Sequence, residues 1–177
     1  SGGAYIGNFG FDRHAGEKPK PTTLVRVAPN GEASIAAEDL WFPNGAVITP
    51  DNSTLIIAET RASRLTAFDI LQNGELKNRR VFAETSNMYP DGICLDEEGA
   101  IWVADPKNKE VIRIKEGGEI TEKLELETRG AYACMLGGND GKTLFVCTNT
   151  GSGPDIAKQR TGKIETTRVK IAKAGRP

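Results

Sequence analysis

The sequence predicts an all-β protein of the β-propeller class, with about three and a half blades in its 177 residues. A unit of two short apolar strands recurs three times, beginning at residues 43, 90 and 131, so that the starts lie 47 and then 41 residues apart. A repeat of about 40–45 residues is the length of one propeller blade. Nearly every other segment alternates apolar and polar residues between turn signals, and no run of ten residues shows helical periodicity.

The first segment supplies a second strand and an outer hairpin, without an inner strand before them. A short strand is followed by a polar loop and then by two alternating strands, which are separated by Asn30-Gly31. Asn-Gly between alternating runs is a strong hairpin signal, because both residue types accept a positive φ. The elements are a strand at 4–9, a loop at 12–21 and strands at 23–27 and 32–36.

The next two segments each predict a complete four-stranded meander. An inner strand follows Pro43-Asn44-Gly45 or Pro90-Asp91-Gly92, and a second strand follows after a turn. Outer hairpins close at Asn73-Gly74 and Gly117-Gly118. The last segment predicts three strands and no clear fourth. The loop at 151–155 is predicted to be a simple connection, and a rim of the channel is the alternative.

These segments predict one partial propeller domain over 1–177. Its blade segments are about 1–42, 43–89, 90–129 and 130–177. Propellers close by pairing their two termini, and unclosed sheets leave reactive edges. We therefore expect the N-terminal blades to be missing from this chain and to be supplied by the rest of the protein or by a completing chain.

Composition excludes several classes of partner. The 23 basic and 24 acidic residues are interspersed, so neither nucleic acid nor a membrane surface is an expected partner. No apolar run approaches the ~18 residues that a spanning helix requires. The single histidine, His14, lies in a polar loop, which argues against a Ser-His-Asp or Cys-His mechanism.

The three cysteines, Cys94, Cys134 and Cys147, lie within apolar strand patterns. They form no Cys-x-x-Cys pair and no Cys/His ligand spacing. We expect buried free thiols in a reducing, cytoplasmic environment, and a disulfide or a zinc site is the alternative.

Asn44 and Asp91 occupy the same position before two consecutive inner strands. A propeller places equivalent inner positions around one channel, so these side chains would face each other across a shared site. Amide and carboxylate oxygens are ligands of hard cations such as calcium. The alternative is that both tripeptides are plain turns in which glycine supplies a positive φ. Their identical placement favours ligands.

The sequence resembles the C-terminal portion of the gluconolactonase family, which is also called senescence-marker-protein or regucalcin-like. The resemblance is carried by three consecutive blade motifs in the order and at the spacing of that family. They lie at 42–60, which contains Pro-Asn-Gly, at 90–104, which contains Pro-Asp-Gly, and at 136–148, which contains Leu-Gly-Gly-Asn.

The resemblance implies a six-bladed propeller with one divalent cation in its channel, usually calcium, with zinc, magnesium or manganese as substitutes. It also implies hydrolysis of a sugar lactone or a related cyclic ester. On this basis Asn44 and Asp91 are metal ligands, and Asp91 is also the candidate general base. Asn8 and Asp12 are weaker candidates for substrate contacts, on a loop over the channel mouth.

The family pattern also contains a metal-binding Glu and substrate-holding Arg and Asn residues, which have no counterpart in this chain. We therefore expect activity in the parent protein and none in this chain alone. Two alternatives remain: a calcium- or partner-binding scaffold without catalysis, and a related propeller lyase. Polar residues that end second strands are predicted to be supporting groups around the site or strand-end caps. These residues are Glu59, Asp105, Thr148 and Asn149.

Overall fold

A computed structural model describes residues 2–13 and 15–175; His14 lies outside this part. The described residues form four antiparallel sheets, each of which is a simple meander. The first sheet contains β1 (Ala4–Ile6), β2 (Thr22–Val27) and β3 (Ala33–Leu40). The second contains β4 (Pro43–Ile48), β5 (Thr54–Glu59), β6 (Arg64–Ile70) and β7 (Leu76–Glu84).

The third and fourth sheets complete the described fold. The third contains β8 (Ile93–Leu95), β9 (Ile101–Asp105), β10 (Glu110–Ile114) and β11 (Ile120–Glu125). The fourth contains β12 (Gly130–Gly137), β13 (Thr143–Asn149) and β14 (Lys163–Arg168), with a short helix α1 (Pro154–Gln159) between its last two strands.

The sheets stack face to face, and the middle strands show why. Every residue of β9 is buried, because its two faces pack against different neighbours. Ile101 and Val103 join an apolar cluster with the second sheet. Trp102 and Ala104 join a cluster with the fourth sheet. Each fully buried side chain of this size contributes about 1.5–3 kcal/mol to the stability of the stack.

The inner strands approach one another closely at two glycines. Gly45 N donates to Asp91 O at 3.1 Å, and Gly92 N donates to Tyr132 O at 3.0 Å. A Cβ on Gly45 would lie 2.5 Å from Asp91 O, and one on Gly92 would lie 2.6 Å from the Cα of Ala133. Neither glycine has a positive φ. Pro43-Asn44-Gly45 therefore begins strand β4, Pro90-Asp91-Gly92 directly precedes β8, and glycine is required in both for close backbone approach.

The predicted outer hairpins are present. At Gly117-Gly118 both residues have a positive φ, as expected, whereas the two Asn-Gly turns differ from the expected turn. Gly31, Gly74 and Gly118 have φ values of 87°, 79° and 97°, whereas Asn30 and Asn73 do not have a positive φ. Instead, the Asn30 side chain accepts a hydrogen bond from Glu32 N at 3.1 Å. Only the glycine thus needs the left-handed conformation, and the asparagine stabilises the turn through its side-chain oxygen.

One expectation about the fourth sheet was wrong, and one of its elements was not foreseen. Helix α1 was not predicted, because six residues are too few to show a helical period. Cys147 is exposed, because β13 alternates and this residue lies on its outer face. Cys94 and Cys134 are buried and free as expected, with their sulfur atoms 3.9 Å apart.

No helix among the described residues has the length and apolar character of a membrane span.

Candidate functional site

A cavity of about 580 Å³ opens where the inner strands begin. Asn44 of β4, Asp91 just before β8 and Tyr132 of β12 line it. These residues come from three successive sheets, so the stacking of the sheets creates the cavity. The structure thus brings together Asn44 and Asp91, which are 47 residues apart in the sequence.

Thr60 links the Asn44 motif to the Asp91 motif through hydrogen bonds. The Asn44 side chain lies near the Asp91 carboxylate and lowers its pKa. Asn44 Nδ2 also donates to Thr60 Oγ1 at 3.3 Å, and Thr60 Oγ1 donates to the carbonyl oxygen of Pro90 at 2.6 Å. Thr60 therefore connects the two motifs. The sequence offered one signal for it, since it directly follows the second strand of its sheet.

The environment of Asp91 raises its pKa to about 6. Burial of the carboxyl group is the largest cause, and the nearby charge of Asp105 acts in the same direction. The hydrogen bond from Asn44 and the charge of Arg13 oppose it. A carboxylate with this pKa is ionised at neutral pH and is basic enough to accept a proton from a reacting group.

The chemistry of these donors fits a hard divalent cation. An amide oxygen and a half-buried carboxylate are ligands that calcium prefers, and the raised pKa shows that the ionised carboxylate lacks sufficient stabilisation in this site. Among residues 2–13 and 15–175, no group of three or more His, Cys, Asp or Glu side chains could hold a metal ion. Asn44 and Asp91 supply two oxygen donors, which are fewer than the about 6–8 oxygen ligands that calcium takes.

The loop after β1 reaches the cavity, although Asn8 and Asp12 are not among the residues that line it. Asn8 Nδ2 donates to Thr23 O at 2.9 Å, and its Oδ1 accepts from Thr22 Oγ1. Asp12 Oδ1 accepts from Ala15 N at 3.0 Å. Both side chains therefore shape the loop. Their neighbours Phe9 and Arg13 line the cavity instead.

Aromatic residues form part of the cavity wall. Phe9 stacks on Phe42 with ring centroids 4.3 Å apart. Tyr89 lies beneath the ammonium group of Lys107, which is 4.1 Å from the ring centroid. Gly151 and Ser152 also line the cavity, so the connection at 151–155 contributes to the rim.

Glu59 and Asp105 stabilise the frame of the site from behind. Glu59 is fully buried and accepts hydrogen bonds from Trp41 N at 2.7 Å and from Arg64 Nε at 3.0 Å. Asp105 is also fully buried and accepts from Tyr89 N at 3.0 Å and from the turn that follows it. Thr148 and Asn149 hydrogen-bond within the fourth sheet and its following loop. All four therefore serve as strand-end hydrogen-bonding groups.

Residues 1–150 match the family described as the SMP-30/Gluconolactonase/LRE-like region. The chain belongs to this family. A 6-deoxy-6-sulfogluconolactonase from Pseudomonas putida is 27% identical over 172 residues, which cover 94% of this chain and 57% of that protein. Regucalcin from Oryctolagus cuniculus is 30% identical over 150 residues, which cover 82% of this chain and 48% of that protein. The chain thus spans about half the length of the curated relatives that it matches.

A solved structure of the family shows the same fold. The structure of a calcium-binding protein, regucalcin, from Agrobacterium tumefaciens superposes with a TM-score of 0.75 and 24% identity. The match covers 99% of this chain and 59% of that one. The predicted all-β propeller class and the predicted family are confirmed.

Proposed function

We propose that the whole protein hydrolyses a sugar lactone or a related cyclic ester, with a divalent cation, most favourably calcium, held by Asn44 and Asp91. The observation that carries this proposal is the juxtaposition of Asn44 and Asp91 in one cavity. Equivalent positions of two consecutive sheets supply an amide and a carboxylate of raised pKa.

In the proposed reaction, a water oxygen bonds to the lactone carbonyl carbon and the ring C–O bond breaks, which leaves a hydroxy acid. The cation supplies polarisation of the carbonyl when it is bound. Asp91 accepts the proton of the attacking water and returns it to the ring oxygen as the C–O bond breaks, and Thr60 holds the Pro-Asp-Gly segment in position. Asn8 and Asp12 hold the loop that presents Phe9 and Arg13 to the substrate.

The names of the relatives support both parts of the proposal. One relative is named as a sugar lactonase, and one structural neighbour is named as a calcium-binding protein. We propose that this chain alone is inactive, because the two described donors are too few for a calcium site. Cys94 and Cys134 are close together and unlinked, which supports a reducing, cytoplasmic setting.

Lactone hydrolysis by the whole protein tests this function. With glucono-1,5-lactone and calcium, we expect acid release that is abolished by EDTA and restored by calcium. Asn44→Ala and Asp91→Asn should each lower kcat/KM by at least about a hundredfold, as expected when a group acting in the transition state is lost. The matched controls are Asn139→Ala and Asp155→Asn, since both residues are exposed and lie outside the cavity. Both controls should retain full activity.

The alternatives give different results in the same experiment. Calcium binding without turnover of any lactone would favour a binding scaffold. Calcium-dependent ring opening by elimination, with an unsaturated product, would favour a lyase. Retained hydrolysis in the Asp91→Asn variant would remove Asp91 from the mechanism.

A further inference from the structure

Three cationic side chains surround the cavity that contains Asp91. Arg13, Arg61 and Lys107 all line it, and Asp91 is the only acidic residue among its described lining residues. The chain as a whole has a net charge of −1, so a general excess of basic residues does not explain this cluster. The cavity mouth is therefore locally positive.

The repeat places these cations together. Arg61 is the second residue after β5, and Lys107 is the second residue after β9. They thus occupy equivalent loop positions in two consecutive sheets. Arg13 lies on the loop that follows β1 in the sheet before them. The three loops meet at the same end of the stack as the inner-strand residues Asn44 and Asp91.

Arg13 interacts electrostatically with Asp91, but none of the three cations forms a close ion pair within the described part of the chain. None of them has a carboxylate oxygen within 4.0 Å there, although many exposed basic residues elsewhere form ion pairs. The Lys107 ammonium group instead donates to Tyr89 Oη at 2.7 Å and lies over the Tyr89 ring. This contact fixes Lys107 at the rim and leaves its remaining donors for a ligand.

We infer that this cavity selects a lactone that carries a compact anionic substituent, such as a phosphate, sulfonate or carboxylate, with Arg61 and Lys107 as the specificity-determining residues. The inference rests on the proposed lactone hydrolysis and names its substrate class. The reacting ring lies toward Asn44 and Asp91, and the anionic group lies toward the rim. Arg13 adds to the positive potential and also interacts electrostatically with Asp91.

Matched lactones provide the test on the whole protein loaded with calcium. The substrates are neutral glucono-1,5-lactone, its 6-phosphate and its 6-deoxy-6-sulfo analogue, and the measured quantity is the ratio of kcat/KM between the charged and neutral lactones. We expect this ratio to be at least about ten for one of the charged substrates. Comparison of the two charged substrates shows which anion the rim prefers. Added NaCl should lower the ratio by screening.

The double variant Arg61→Gln/Lys107→Gln should reduce that ratio by at least about tenfold. Lys77→Gln is the matched control, because Lys77 is an exposed cation on β7 outside the cavity. It should leave the ratio unchanged. A wild-type ratio near one, or a ratio that the double variant does not change, would overturn the inference while the proposed hydrolysis stands.

Calorimetric titration with 6-phosphogluconate and gluconate separates the inference from the proposed function. If no lactone is hydrolysed, the proposed function fails. Tighter binding of 6-phosphogluconate, lost in the double variant, would still support an anion-selective rim. Equal binding of the two acids would overturn it.

Discussion

At Asp91 folding and the proposed chemistry conflict, because burial in the folded protein disfavours the ionised carboxylate that the chemistry requires. Its carboxyl group is half-buried, and the pKa of about 6 means that ionisation costs more free energy in the metal-free folded protein than in water. The amide of Asn44 and the charge of Arg13 compensate only in part. A bound cation would relieve this conflict, which is a property expected of a ligand and not of a turn residue.

The conflict predicts how stability depends on pH. Because the folded-state pKa of Asp91 lies above the unfolded value of about 3.9, its favourable contribution is present below about pH 4 and is lost as the pH rises through about 6. Asp91→Asn should therefore stabilise the EDTA-treated protein at pH 8 by about 1–2 kcal/mol and change little at pH 4. Urea unfolding at the two pH values measures this difference.

With calcium bound at pH 8, the wild-type protein should be more stable than the Asp91→Asn variant. The wild-type protein gains stability from the bound ion, whereas the Asp91→Asn variant gains little. Asp155→Asn is the control, since Asp155 is exposed, and it should match the wild type under every condition. Equal stability of wild type and Asp91→Asn at both pH values without metal would contradict the account of Asp91.

At the level of the strands, Glu59 connects the end of β5 to three other segments. Besides Trp41 N and Arg64, its carboxylate accepts from Thr66 Oγ1 of β6 at 2.5 Å and from Arg79 of β7 at 3.2 Å. Burial raises the pKa of Glu59, but the hydrogen bonds from Arg64, Thr66 and Trp41 N outweigh it, so the pKa is lowered overall. The network holds the end of β5, which Thr60 follows.

Glu59→Gln should lower the free energy of unfolding at pH 7 by about 2–3 kcal/mol, because it leaves buried hydrogen-bond donors without a charged acceptor. The folded-state pKa is lowered, so the contribution of Glu59 is present above about pH 4.3 and is lost as the pH falls through the folded-state pKa. The difference between wild type and variant should therefore shrink at pH 3. Urea unfolding of the whole protein at pH 7, 5 and 3 measures it.

The control for Glu59 is Glu84→Gln at the exposed end of β7. It should change the unfolding free energy by less than about 0.5 kcal/mol. If Glu59→Gln changed stability as little as this control does, the network would have no structural role.

Most strands could be predicted, because their signals are local. Alternation and Asn-Gly or Gly-Gly turns locate the outer hairpins, as at Gly31 and Gly74. The turn geometry and helix α1 could not be predicted in the same way. The type of a turn depends on backbone angles that several residue pairs can adopt. A helix of six residues is too short to show a helical period in the sequence. Exposure of Cys147 depends on what covers the outer face of β13, which is not a local property.

At the scale of the whole molecule, the repeat spacing explains how the site is assembled. Equivalent positions in consecutive sheets bring Asn44 next to Asp91, and this juxtaposition followed from the sequence. Arg61 and Lys107 follow the same repeat but were not predicted as site residues. The predicted residues were Glu59 and Asp105, which lie at the strand ends two positions earlier. The first and second residues after the second strand both reach the cavity, whereas the strand-end residue does not line it.

The outer sheets expose apolar side chains. Ile164 on β14 is 70% exposed, and Ile35 on β3 is 61% exposed. Such faces are typical of surfaces that other sheets cover in a propeller. This observation supports the proposal that further blades complete the channel and supply the remaining ligands of the cation.

Calcium titration of the whole metal-free protein, followed by isothermal calorimetry at pH 7.5, tests the central claim most directly. We expect one calcium per protein in the wild type, a loss of affinity of at least about tenfold in both Asn44→Ala and Asp91→Asn, and unchanged binding in Asn139→Ala and Asp155→Asn. Wild-type calcium affinity in the two site variants, or no calcium binding by the wild type, would contradict the claim that Asn44 and Asp91 hold the cation.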